Sequence, residues 1–178
     1  MENLKLVVFE NCKEFGEKVD KHLQKLNNSD ESFIVPIKEV RFNNGEGKVV
    51  LGESVRKKEI FILSDPGNHS ITYEMYGYIN HKSPDDHFQD VIRAIGAIRN
   101  QSSSISLVMP LMYSSRQHKR EGRESLDCAV ALQTLMDKGV SNIITFDVHD
   151  SNVQNAIPCS SFDNFYPTNI ILESLFNS

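Results

Sequence analysis

Residues 105–146 read ISLVMPLMYSSRQHKREGRESLDCAVALQTLMDKGVSNIITF. Ile105 to Met109 is a short apolar run closed by Pro110, and a polar stretch follows from Tyr113 to Arg123. Ser125 to Lys138 then places Leu126, Ala129, Val130, Leu132, Leu135 and Met136 at helical spacing. Gly139 is the residue type that commonly ends a helix. Asn142 to Phe146 is a second apolar run. Strand, loop, helix and strand in that order predict a right-handed crossover between two parallel strands.

The same alternation extends toward the N-terminus. Glu59 to Leu63 reads as a strand that stops at Ser64-Asp65-Pro66-Gly67. Asp85 to Arg99 reads as a helix with Phe88, Val91, Ile92, Ile95 and Ile98 on one side. Pro84 precedes it, and Asp85-Asp86 suits the positive end of the helix dipole. Leu4 to Phe9 is an opening apolar run. Phe15, Val19, Leu23 and Leu26 then mark a helix over 13–26, stopped by Asn27-Asn28-Ser29-Asp30. Phe33 to Val40 and Lys48 to Leu51 read as strands around an Asn43-Asn44-Gly45 turn, and Thr168 to Phe176 as a short helix. Residues 68–84, with Tyr73, Tyr76 and Tyr78, follow neither period.

This pattern predicts an α/β fold, a mostly parallel sheet with helices on both faces. Ligands of such sheets bind beyond the carboxyl ends of the strands. Three loops take that position: Ser64 to His69, Tyr113 to Arg123, and Asp147 to Gln154.

Composition bounds the function. The chain has 178 residues, 39% of them apolar and 24% charged, which suits one ordinary soluble domain or half of a larger two-lobed protein. Its net charge of −5 argues against a nucleic-acid binder. The apolar run around Ile105 to Met112 is far short of the roughly 18 residues that a membrane span needs. Cys12, Cys128 and Cys159 are scattered and form no CxxC pair, so reduced thiols in a cytoplasmic protein are expected. There is no GxxxxGK[ST] loop, no GxGxxG fingerprint and no GxSxG elbow.

The chemistry gathers in two of the three loops. Arg116, Lys119, Arg120 and Arg123, with His118 among them, put four fixed cations within eight residues of an acidic chain. Guanidinium forks and lysine point charges suit phosphate oxygens. Asp147-Val148-His149-Asp150 leaves the next strand, and such Asp and His side chains suit a divalent cation or a phosphate. The two strands are joined by one helix, so both loops could meet on one polyphosphate. By composition alone, Arg41-Phe42-Asn43-Asn44-Gly45-Glu46 is a hairpin turn.

In series, these pieces resemble the ribose-phosphate pyrophosphokinase family, also called phosphoribosyl pyrophosphate synthetases. The family pattern is a Phe-x-Asp-Gly-Glu turn, an Arg-Gln-Asp loop after a strand ending in Pro, and an Asp-Leu-His strand end followed by Gln-x-Gln. Here these stand as Phe42-Asn43-Asn44-Gly45-Glu46, Met109-Pro110 with Arg116-Gln117-His118-Lys119, and Asp147-Val148-His149 with Asn152-Val153-Gln154. Asn44 and His118 each replace a family aspartate.

The resemblance implies a phosphoribosyltransferase-like lobe, with residues 1–178 as a single N-terminal domain and a second catalytic lobe lying outside them. It implies a transferase that passes the diphosphoryl group of ATP to ribose 5-phosphate with Mg2+. Arg116 and Gln117 would contact ATP. Phe42, Asn44 and Glu46 would reach the adenine site of a neighbouring subunit, which makes a homo-oligomer the expected state. His149 would be catalytic and would contact metal and phosphate. This chain alone is expected to be inactive. Two other readings are a non-catalytic regulatory homologue that assembles with the enzyme, and an unrelated nucleotide-binding module of flavodoxin-like topology.

Overall fold

The computed structural model describes residues 3–98, 101–158 and 160–177. Arg99 and Cys159 lie outside the described residues. The chain forms a six-stranded, fully parallel sheet and two separate two-stranded hairpins. The sheet strands are β1 (Leu4–Val8), β2 (Ile34–Val35), β5 (Glu59–Leu63), β8 (Ser104–Met109), β9 (Asn142–Phe146) and β10 (Ser161–Phe165). Their spatial order is β10-β9-β8-β5-β1-β2. The chain leaves β1 toward β2 and later returns to β5 on the other side of β1. The topological switch point therefore lies between β1 and β5.

Alternate side chains face opposite ways. Val7, Ile60, Ile62, Ile105, Leu107, Met109 and Ile143 pack on α2 (Pro84–Ile98) and α3 (Asp127–Asp137). Leu6, Val8, Phe61, Leu63, Val108 and Ile144 face the other way, where Val19 and Leu23 of α1 (Lys13–Asn27) join them. Helices thus lie on both faces. The α1 face keeps an apolar groove of about 330 Å³ that includes Phe15, Phe61, Ile144 and Phe146.

Local signals act where expected. Asn28 takes the left-handed conformation (φ 49°) and ends α1, and Gly139 (φ 93°) follows α3. Ser83 and Asp86 exchange hydrogen bonds at the start of α2, a capping box. Buried Asp20 accepts from the Phe33 amide at 2.7 Å and from Ser32 at 2.8 Å, fixing the entry into β2.

Three expectations change. The single strand expected over 33–40 is split at Pro36, which has no N–H to give to a ladder. Residues 34–35 join the main sheet, while β3 (Ile37–Arg41) pairs with β4 (Gly47–Leu51) as a hairpin. Residues 68–84 hold a second hairpin, β6 (Thr72–Met75) and β7 (Tyr78–His81), turning at Tyr76 (φ 50°) and Gly77 (φ 81°). An unexpected edge strand, β10, precedes α4 (Thr168–Phe176).

Candidate functional site

The carboxyl ends of β8 and β9 are neighbours in the sheet, so the two charged loops emerge side by side. The first loop is anchored at both ends. Tyr113 stacks on Phe88 of α2 (centroids 4.3 Å apart) and donates its hydroxyl to Asp85 at 2.7 Å. Burial and that hydrogen bond raise the Tyr113 phenol above its ordinary value. At the far end, Cys128 N–H donates to the Gln117 carbonyl at 3.4 Å. Arg116 and Gln117 are both exposed.

The second loop turns sharply at Asp147 (φ 47°), whose N–H donates to the Phe165 carbonyl of β10. Val148 is buried and His149 is exposed. Asp150 accepts the Asn152 N–H through Oδ1 at 2.8 Å and so caps the 3-10 turn Ser151–Ala156. His118 joins the loops. Its Nε2 lies 3.3 Å from Asp150 Oδ2, and its ring meets His149 edge-on at 5.2 Å. Among the described residues, no group of three or more His, Cys, Asp or Glu side chains is placed to hold a metal ion.

The Phe42 turn is built elsewhere, at the tip of β3–β4. Phe42 N–H donates to the Glu46 carbonyl, and Gly45 N–H to the Phe42 carbonyl, both at 2.8 Å. The Asn44 amide is spent locally, accepting from Glu46 N–H and donating to Glu46 Oε2. Phe42 remains 48% exposed. Two supports hold the turn. Arg41 Nη1 donates to the Gly45 carbonyl at 3.0 Å, and the Tyr76 N–H at the tip of β6–β7 donates to Asn43.

Arg41 belongs to a buried ionic cluster that sequence reasoning missed. Asp90 pairs with Lys82 (2.9 Å), Arg93 (2.6 Å) and Arg41 (3.0 Å), and Lys82 also reaches Glu39 (2.5 Å). The side chains of Lys82 and Asp90 are 5% and 4% exposed. Hydrogen bonds from Ser83 and the Arg41 charge hold Asp86 below the usual carboxylate range, although its partial burial works the other way. The sequence signal was Asp90 on the apolar side of α2, beside Val91 and Ala94.

A second missed group lies at the switch point. Asn11, Ser64, Asn68 and His87 form a buried or part-buried network there. An open crevice of about 820 Å³ lies above it, with Asn11, Asp65, Asn68 and Ser70 on its wall. The crevice takes in none of the six candidate residues. The charged loops lie at the β8–β9 end instead.

Fold and loops together define an α/β lobe that presents its polar chemistry at the carboxyl edge of a parallel sheet. Residues 4–139 match the N-terminal domain of ribose phosphate pyrophosphokinase, and the chain belongs to that family. It is 31% identical over 117 residues to ribose-phosphate pyrophosphokinase 2 of Schizosaccharomyces pombe, covering 65% of this chain and 32% of that protein. To ribose-phosphate pyrophosphokinase B of Dictyostelium discoideum it is 26% identical over 138 residues, covering 76% and 36%. The crystal structure of phosphoribosylpyrophosphate synthetase from Mycobacterium smegmatis superposes with a TM-score of 0.79 at 21% identity, over 97% of this chain and 51% of that one. That likeness establishes the shared fold. The chain spans about a third of the length of these two curated relatives. None of the described helices is long and apolar enough to cross a membrane.

Proposed function

We propose that this chain is the ATP-binding lobe of a cytoplasmic ribose-phosphate diphosphokinase, contributing to diphosphoryl transfer from MgATP to ribose 5-phosphate. One observation carries the reading: His118 and Asp150 draw the loop that bears Arg116 and Gln117 alongside the strand end that bears His149. Arg116 and Gln117 face solvent there without a buried task, as groups that receive a polyphosphate would. Such transfers rest on positioning and charge neutralisation, which a guanidinium and a cation supply.

Magnesium fits this arrangement through the nucleotide. It keeps several waters and takes few protein ligands when it arrives on phosphates. His149 is the residue that would meet it, and the ion would neutralise charge on the transferred group. Ribose 5-phosphate is assigned to a second lobe outside residues 1–178. Exposed Phe42, with Asn44 and Glu46, is assigned to a neighbouring copy's adenine site, so the working state is a homo-oligomer.

Calorimetric titration of ATP, with and without magnesium, tests the reading. Arg116→Ala should weaken binding roughly ten- to a hundredfold under both conditions, the equivalent of one charge-assisted hydrogen bond. His149→Ala should matter mainly when magnesium is present. No binding by the parent chain, or binding unmoved by both substitutions, would remove the site.

A further inference from the structure

We propose that His118 is a positioning residue of the nucleotide site, a clamp that holds the Arg116–Gln117 segment against the end of β9 through Asp150. The inference rests on the reading of these loops as a nucleotide site and assigns a role to a residue that touches no nucleotide in it.

His118 stands apart from its neighbours. Arg116, Gln117, Lys119 and Arg120 are exposed, whereas the His118 side chain is only 14% exposed. Its Nε2 meets Asp150 Oδ2 at 3.3 Å. The other oxygen of Asp150 is already engaged by the Asn152 N–H, so the carboxylate is fixed from its own turn and forms a rigid anchor. The ring also abuts His149. One side chain therefore touches both the anchor and the imidazole that the reading places at the phosphates.

Other bonds of the segment stay close to home. Lys119 pairs with Glu121, Glu121 N–H with Glu124, and Gln117 with Ser114 and Cys128. Among the described residues, the Lys119 charge also acts on Asp150, but the close side-chain contact from 116–124 to the β9 side is the one through His118. Its cost is visible: His118 Nδ1 is buried without a hydrogen-bond partner. An unpaired buried polar atom opposes stability, so the placement of this ring points to position rather than to folding.

The test combines amide hydrogen exchange on the free chain with calorimetric titration of MgATP. His118→Ala should speed exchange across 116–123 and weaken MgATP binding several-fold, the size of one lost imidazole–carboxylate contact. Asp150→Ala should do the same, and the double variant should be no worse than either single one. His118→Gln, which keeps a side-chain N–H at similar reach, should restore most of both signals, which a merely space-filling role would not give. Parent-like exchange in His118→Ala overturns the clamp. Faster exchange with parent-like MgATP affinity overturns its role in the site. If the parent chain does not bind MgATP, the nucleotide reading fails and so does the positioning role, while exchange still decides whether the clamp exists.

Discussion

Asn11 donates its side-chain N–H to Nδ1 of His87, 2.9 Å away and 76 positions along the chain. The orientation is fixed by its surroundings. Asp65 N–H donates to Asn11 Oδ1, so the amide nitrogen must face the ring. Nδ1 is therefore the acceptor, and Nε2 carries the proton toward the Asn68 carbonyl at 2.9 Å. His87 is 2% exposed. A neutral imidazole thus ties the ends of β1 and β5 to α2 at the switch point.

This neutral ring predicts acid sensitivity. Burial lowers the His87 pKa; nearby Lys82 lowers it too, while the Asn68 hydrogen bond and the charges of Asp90 and Glu39 oppose the shift. An unfolded histidine takes up its proton near pH 6.5. The unfolded chain therefore binds the proton first, so this contribution is complete above about pH 6.5 and is lost as pH falls toward the lowered folded-state value. Urea unfolding at pH 7.5 and 5.5 should show a larger loss for the parent than for His87→Gln. Equal losses would refute the assignment.

Asp90 predicts a large stability effect. Asp90→Ala takes the shared carboxylate from Arg93, Lys82 and Arg41, leaving Lys82 with Glu39 and Arg41 with Asp86 around a buried gap, and breaking such a buried pair costs about 3–5 kcal/mol. Lys18→Ala, which breaks the exposed pair with Glu14, should leave the urea midpoint unchanged. A small loss in Asp90→Ala would mean that water solvates the cluster.

The two buried thiols should be inert. Burial, then the nearby Asp65 charge, pushes Cys12 up to about 12, and burial pushes Cys128 up to about 11. A thiol reacts as the thiolate. Iodoacetamide at pH 8 followed by peptide mass spectrometry should leave both unlabelled in the folded chain and label both in urea. Native labelling of either would contradict the packing.

The central sheet was legible because its strands are buried on both faces. Residues 59–63, 105–109 and 142–146 are mostly apolar, and the helices between them keep a clean period. Strand β10 was not legible, since Ser161, Asp163 and Asn164 break its apolar pattern at a sheet edge. The β6–β7 hairpin hid for a related reason: its turn is Tyr76-Gly77 rather than the usual Asn-Gly or Asp-Gly. Arg116 and His149 could be picked out from charge and strand position. The His118–Asp150 link could not, because its partners lie 32 positions apart and only the pairing of β8 with β9 brings them together.

Gly16 and Gly45 give a last, paired prediction about what each glycine is for. A Cβ on Gly16 would lie 2.4 Å from Val8 Cγ1 and 2.7 Å from Cγ2. Valine is stiff about χ1 and Val8 sits within β1, so the crowding cannot relax. Gly16→Ala should lower stability by about 1–3 kcal/mol, the usual cost of overpacking. Val8→Ala should recover much of that loss in the double variant, because it removes the opposing methyls. Gly45 differs. Its φ of 89° strains any L side chain, while the nearest atom, Met75 Sδ at 2.8 Å, ends a flexible side chain that can move aside. Gly45→Ala should cost about 1–2 kcal/mol through backbone strain, and Met75→Ala should not rescue it. Gly45→Asn should cost less, since asparagine visits the left-handed region more readily. Urea midpoints for the two double-mutant cycles decide the matter. Coupling between Gly16 and Val8 without coupling between Gly45 and Met75 is the expected result. Coupling in the second pair would mean that the Phe42 turn is shaped by packing against β6 rather than by its own backbone.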